Sequence, residues 1–142
     1  MNIIYNIAEI DSISKKILDQ LPCKVVCLFG PLGAGKTTLV QAILKCLGGL
    51  TPATSPTFSV IEEHPLPCSP SPAYHLDCYR IEDPEEGYDL GLEEILTGDH
   101  WVFIEWAEHI LPLLPKSRAV IHLSVISPDT RQIHLEILPS PA

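Results

Sequence analysis

Residues 30–37 read Gly-Pro-Leu-Gly-Ala-Gly-Lys-Thr, the pattern G-x-x-x-x-G-K-[ST], and their flanks leave few folds open. The run before them, Lys24-Val-Val-Cys-Leu-Phe29, is an apolar strand candidate. The run after them, Thr38-Leu-Val-Gln-Ala-Ile-Leu-Lys-Cys-Leu47, has helical spacing and stops at Gly48-Gly49. Strand, glycine loop and helix stand in the order that a phosphate cradle needs. Glycines let backbone N–H groups turn onto phosphate oxygens, and the helix N-terminus adds partial positive charge. In such a loop Lys36 reaches the β- and γ-phosphates, and the Thr37 hydroxyl is a ligand of Mg²⁺. The pattern therefore implies a bound nucleoside triphosphate. With nothing bound, Lys36 is expected to face solvent.

The chain of 142 residues is long enough for one domain with a real core, and short for a protein carrying this loop. Its 46% hydrophobic and 19% charged residues describe an ordinary soluble globule. No apolar run approaches the ~20 residues of a membrane span. The start, Met-Asn-Ile-Ile-Tyr-Asn, lacks the basic opening and apolar core of a signal peptide. Five cysteines without C-x-x-C spacing argue against a disulfide framework, so a reducing cytoplasm is the expected location. Nine lysines and arginines face eighteen acids, a formal charge of −9. An independent nucleic-acid binder usually carries a basic surface, so any action on nucleic acid is expected to run through a partner.

Residues 3–6 read as a short strand. Asp11 or Ser12 is the expected cap of a helix whose apolar positions Ile13, Ile17, Leu18 and Leu21 share a face, with Pro22 ending it. Residues 48–56 form a loop rich in Gly, Thr and Pro. Residues 58–63 and 73–79 read as two strands joined by a proline-rich connection (Pro65, Pro67, Pro70, Pro72). Asp83-Pro84-Glu85-Glu86 is a helix start that Gly87 and Gly91 weaken further on. Trp101–Ile104 is a buried-strand candidate ending in Glu105. Residues 119–126 and 132–138 alternate around Ser127-Pro-Asp-Thr130, a β-hairpin.

An ATPase built on this loop needs acids at strand ends near the metal. Two apolar runs supply them, one ending in Glu105 and one in Asp77. Glu105 is placed to hold the metal directly or through water, and Asp77 to complete the metal shell or orient the attacking water; either is otherwise a solvated strand-end acid. Thr57, in Ser55-Pro-Thr57, is either a switch residue reaching Mg²⁺ or the γ-phosphate, or part of a plain turn. Trp106 is core filler or a contact surface. His64, Cys68, His75 and Cys78 match no common zinc spacing. No N-K-x-D element for guanine is present, which favours adenine, and no L-S-G-G-Q signature is present, which argues against a transporter ATPase. The arginines Arg80, Arg118 and Arg131, with no spare segment for a lid, argue against a small-molecule kinase.

The pieces in order resemble the TsaE (YjeE) family over essentially the whole chain. They are G-P-L-G-A-G-K-T-T at 30–38, S-P-T-F at 55–58, H-L-D-C-Y-R at 75–80, D-P-E-E at 83–86 and I-E-W at 104–106. The resemblance implies a bacterial ATPase, slow by itself, required to make threonylcarbamoyladenosine in tRNAs that read codons beginning with A. It implies the partners TsaD, which transfers threonylcarbamoyl to adenine N6, and TsaB, which dimerises with TsaD. tRNA is met only through that complex, and no membrane is involved. The implied cofactors are ATP and Mg²⁺. Residue by residue, the resemblance gives Gly33, Ala34, Gly35 and Lys36 to phosphates, Thr37 and Glu105 to Mg²⁺, and Thr38 to the nucleotide cradle. Trp106 matches a family tryptophan beside the site, while Arg131 and Glu9 match positions near adenine or ribose. Pro31 departs from the family, which commonly has Asp or Glu there. The implied fold is a single α/β domain over 1–142, a P-loop NTPase-like central sheet flanked by helices, with antiparallel hairpins. Two other functions stay open: a nucleotide-dependent interaction protein with incidental hydrolysis, and a small-molecule kinase.

Overall fold

Strand β1 (Asn2–Asn6) leads through a 3₁₀ turn (Ile7–Glu9) into helix α1 (Ile10–Gln20). Strand β2 (Val25–Phe29), the glycine loop and helix α2 (Lys36–Cys46) follow. Strands β3 (Ile61–His64) and β4 (Ala73–Asp77) precede two short helices, α3 (Pro84–Asp89) and α4 (Leu92–Thr97). Strand β5 (Val102–Glu105), a 3₁₀ segment (Ala107–Leu113), and strands β6 (Arg118–Ser127) and β7 (Thr130–Leu138) complete the chain. This computed structural model describes residues 1–49 and 60–139.

The strands form one mixed sheet in the order β1-β7-β6-β2-β5-β4-β3. Strands β6, β2, β5 and β4 run parallel, while β3 and the β7–β1 pair lie antiparallel at the two edges. This is the expected α/β class, a central sheet flanked by helices with antiparallel hairpins. The inner strands are apolar at nearly every position because both of their faces are covered. On one face Val26, Leu28, Phe103 and Ile121 meet Ile17 of α1 and Leu39 and Ile43 of α2. On the other, Cys27, Leu76, Val102 and Ile104 meet Leu92 and Leu96 of α4 and Ile110 of the 3₁₀ segment. Each fully buried Leu or Ile contributes about 1.5–3 kcal/mol, so these two layers fix the ends of β2, β4 and β5 relative to one another.

Local chemistry explains where the boundaries depart from expectation. Helix α1 starts at Ile10, before Asp11 and Ser12, which lie inside its first turn. The cap belongs to Asn6, whose side chain accepts the Ala8 N–H at 2.9 Å while Glu9 accepts the Asn6 N–H at 3.0 Å. That reciprocal box winds the 3₁₀ turn, which runs straight into the helix. Helix α2 begins at Lys36, inside the motif, because Gly35 (φ 102°) is its N-cap. It ends with the Gly49 N–H on Leu44 O and the Gly48 N–H on Lys45 O, a glycine-terminated Schellman stop. The region after Asp83 is two helices rather than one, since Gly91 adopts φ 79° between them. Strand β4 stops at Asp77 and does not reach Tyr79. Strand β3 covers 61–64; Phe58 and Ser59 of the expected strand, like Thr57, lie outside the described residues. No described helix is long and apolar enough to cross a membrane.

Candidate nucleotide site

Three parallel strands end side by side, and each delivers something to the same place. β2 ends at Phe29 and hands over to Gly30, the first residue of the loop. A Cβ there would sit 2.7 Å from the Leu123 carbonyl, so only glycine lets the loop leave between β2 and β6. Gly33 and Gly35 take left-handed φ of 79° and 102°, which turn the backbone into a concave cradle. The cradle is closed by the Ala34 N–H on Pro31 O at 3.1 Å. That bond uses only the carbonyl of Pro31, so proline's missing N–H costs nothing in this turn.

Strands β5 and β4 end in Glu105 and Asp77, which are register partners. Glu105 is almost fully buried, and its Oε2 accepts two hydrogen bonds, one from Thr37 Oγ1 at 2.8 Å and one from His75 Nε2 at 2.6 Å. Burial is the largest single influence on the Glu105 carboxyl and pushes it up. The hydrogen bond and charge of His75, the Thr37 hydroxyl and the Lys36 ammonium together outweigh it and hold the group below its ordinary value. Asp77 lies at the cleft wall, with Oδ1 accepting the Tyr79 N–H at 3.1 Å.

Lys36 is not exposed as expected. Only 5% of its surface is accessible, its Nζ donates to Gly30 O at 2.7 Å, and the Trp106 ring lies 3.8 Å from it. Burial lowers its pKa, against the raising charges of Glu105, Glu108 and Asp77. Trp106 reaches the lysine from a left-handed backbone (φ 60°, ψ 41°), a conformation that costs a bulky residue of order 1–3 kcal/mol. Its ring packs on Tyr79 at 4.9 Å and near His109 at 6.0 Å. His109 Nδ1–H donates to Cys78 O at 2.7 Å, binding the 3₁₀ segment to the end of β4. Trp106 is thus a cover for the lysine, and its strain is held by the segment after it.

The result is a cleft of about 340 Å³ lined by Leu32, Gly33 and Gly35 from the loop, by Lys36, Thr37 and Thr38 from the first turn of α2, and by Asp77, Tyr79, Glu105 and Trp106 at and just past the strand ends. Ala34 is buried behind it. Arg131 acts from the back: its Nε donates to Ala34 O at 3.0 Å and its Nη1 to Ser127 O at 2.8 Å, tying the loop to the hairpin turn. Glu9 serves the cap of the first turn instead of lining the cleft.

Two residues of the site escaped the sequence reading. His75, weighed in the sequence only as part of a zinc grouping, is wholly buried and bonded to Glu105; its signal was its place two residues before Asp77, on the same strand face. Tyr79 lines the cleft just past the strand. His64, Cys68 and Cys78, the other residues of the zinc reading, sit in different settings. His64 lies 2.8 Å from Glu62, Cys68 is exposed, and the buried Cys78 thiol is pushed up to about 12 by burial, hence inert.

The family model of "Threonylcarbamoyl adenosine biosynthesis protein TsaE" matches residues 4–133. The chain is 40% identical over 111 residues to the tRNA threonylcarbamoyladenosine biosynthesis protein TsaE of Rickettsia bellii, covering 78% of this chain and 75% of that one. It is 40% identical over 112 residues to the TsaE of Bacillus subtilis, covering 79% of this chain and 68% of that one. The crystal structure of YdiB from Bacillus subtilis is similar at a TM-score of 0.72 and 30% identity, over 97% of this chain and 86% of that one. The chain belongs to the TsaE family, the threonylcarbamoyl adenosine biosynthesis proteins.

Proposed function

We propose that this chain binds ATP with Mg²⁺ and hydrolyses it to support threonylcarbamoyl modification of A37 in tRNAs reading codons that begin with A, acting with TsaD and TsaB. The observation that carries the reading is the convergence of Lys36, Thr37, Glu105 and Asp77 on one cleft. A hydroxyl and a carboxylate already in contact are the hard oxygen donors that Mg²⁺ prefers, so Thr37 and Glu105 fit the ion. When bound, it neutralises charge on the phosphate oxygens.

The chain's own groups do the rest. N–H groups of the loop around Gly33 and Gly35 and the start of α2 receive the phosphates. Lys36, now on neutral partners at Gly30 O and the Trp106 ring, swings to the anion, which favours its charged form as burial does not. Thr37 releases Glu105 to turn its hydroxyl inward. Asp77, beside Glu105, is positioned to orient the attacking water. Thr38 completes the cradle, and Arg131 keeps the loop in shape through Ala34 O. The surface charge of −9 opposes tRNA, which is met through the partners.

Phosphate release from ATP, measured alone and with TsaB and TsaD, tests the reading. Stimulation by the pair is expected. Equal rates point to an interaction protein with incidental hydrolysis, and γ-phosphate label in a small acceptor points to a kinase. Salt-sensitive micromolar binding of labelled tRNA to the isolated chain removes the indirect-contact part of the proposal.

A further inference from the structure

Glu105 Oε2 is held from two sides that differ in what they can do next. Thr37 stands in the first turn of α2 and lines the cleft, and under the proposed function its hydroxyl leaves Glu105 for the metal. His75 lies on β4, inside the sheet, with none of its surface accessible. Its ring is enclosed in the core and bonded through Nε2 to Glu105. Its buried Nδ1 has no hydrogen-bond partner among the described residues, which leaves Glu105 as the one acceptor they offer the ring. A buried imidazole kept with one nitrogen unsatisfied is a costly arrangement that an apolar residue would avoid.

We propose that His75 is a positioning residue for Glu105: its Nε2–H holds Oε2 in place, so that the carboxylate keeps its aim toward the cleft after Thr37 lets go. The inference rests on the metal-binding part of the proposed function. Without His75, a glutamate released by Thr37 has no described side-chain donor left on Oε2 and is free to rotate about its last torsion. Partners that orient a metal-binding group in this way typically change metal affinity 10- to 100-fold when removed. The bond fixes the tautomer as well, with the proton on Nε2 and the lone pair on Nδ1 when the ring is neutral.

Two measurements test this. The first needs no nucleotide. The histidine-ring N–H of His75, bonded at 2.6 Å and shielded from water, should give a downfield, slowly exchanging proton resonance that correlates with Nε2 and disappears in Glu105→Ala. Its absence from the wild type, or its survival in Glu105→Ala, overturns the assignment. The second is calorimetric ATP affinity in excess Mg²⁺ and in EDTA. His75→Leu should cut the gain conferred by Mg²⁺ at least tenfold while leaving affinity in EDTA unchanged, and His75→Gln, which keeps a donor, should restore most of it. An undiminished gain in a folded His75→Leu, or a gain in a folded His75→Gln no larger than that in His75→Leu, overturns the proposal. If His75→Leu does not fold, the resonance decides. A wild type without any Mg²⁺ gain overturns the metal reading and this inference together, whereas an intact gain without hydrolysis removes only the ATPase reading.

Discussion

The parallel strands β2, β5 and β4 and the antiparallel ribbon β6–β7–β1 belong to one sheet but handle polar residues in opposite ways. Helices cover both faces of the parallel strands, so a polar group there must find a partner inside. Glu105, His75 and Thr37 do this by bonding to one another. In the ribbon one face is packed and the other is not: Ile121, Leu123, Ile133 and Leu135 point inward, while His122, Ser124 and Glu136 are exposed, where water can satisfy them. The difference is one of coupling. Among the parallel strands the same side chains sit in the core and line or buttress the cleft; in the ribbon, packing and the cleft are separable. Arg131 crosses the line, a ribbon residue bonded to the loop.

The largest effect is expected at the loop. Lys36→Ala should lower hydrolysis a hundredfold or more, the scale of losing one charge-assisted contact at the transition state. The fold should survive, because the change removes an ammonium that burial already disfavours. Phosphate release and circular dichroism measure the two halves of this statement, and a folded variant with an unchanged rate refutes the assignment of Lys36. In the ribbon the pattern reverses. Ile133→Ala, at a fully buried position, should lower unfolding free energy by about 2–5 kcal/mol with ATP affinity untouched below the melting transition. Urea titration and calorimetry separate the two, and a loss of ATP affinity in the folded variant breaks the proposed division.

A smaller effect tests the crossing point. Arg131→Ala removes hydrogen bonds from a charged donor at a partly exposed site, so stability should fall by about 1–2 kcal/mol. ATP affinity should fall a few-fold as well, because Ala34 and the cradle around it lose their tether. If stability drops and affinity holds, the ribbon is a scaffold only, and the adenine-side role implied for Arg131 gains nothing from this contact.

The same contrast governs what could be read from the sequence. The ribbon was legible because alternation at 119–126 and 132–138 is a local signal, and the structure extends those strands by only a residue or two at most ends. The cradle was legible because its residues are adjacent in sequence, and Glu105 and Asp77 because acids closing apolar runs are visible without coordinates. What stayed hidden depends on strands coming together. His75 meets Glu105 only when β4 pairs with β5, and its place two residues before Asp77 gains meaning only with that pairing. The burial of Lys36 depends on Trp106 folding back over it from a left-handed turn, which tryptophan rarely adopts and no propensity foretells. The start of α1 was missed for a nearer reason: Asn6 and Glu9 cap a 3₁₀ turn first, and the helix inherits that start.

The last and smallest effect concerns acid. The folded state holds Glu105 below its ordinary value of 4.5, the value that the unfolded chain restores. Between the two, the unfolded state binds more protons, so stability rises with pH there. The contribution is complete above 4.5 and fades as pH falls through the folded value. Glu105→Gln keeps the shape and an acceptor oxygen for Thr37 and His75 but has nothing to titrate. The stability gap between wild type and Glu105→Gln should therefore change in favour of the variant as pH drops from neutrality to below 4.5, measured by urea unfolding without nucleotide. Ile133→Ala supplies the control from the ribbon: its gap comes from a cavity in an apolar layer and should hold across the same range. A parallel decline of both gaps would mean that acid acts on the sheet as a whole. Separate courses would show that the strand ends of the parallel half carry a charge-dependent stability of their own, set by the bonds that aim Glu105 into the cleft.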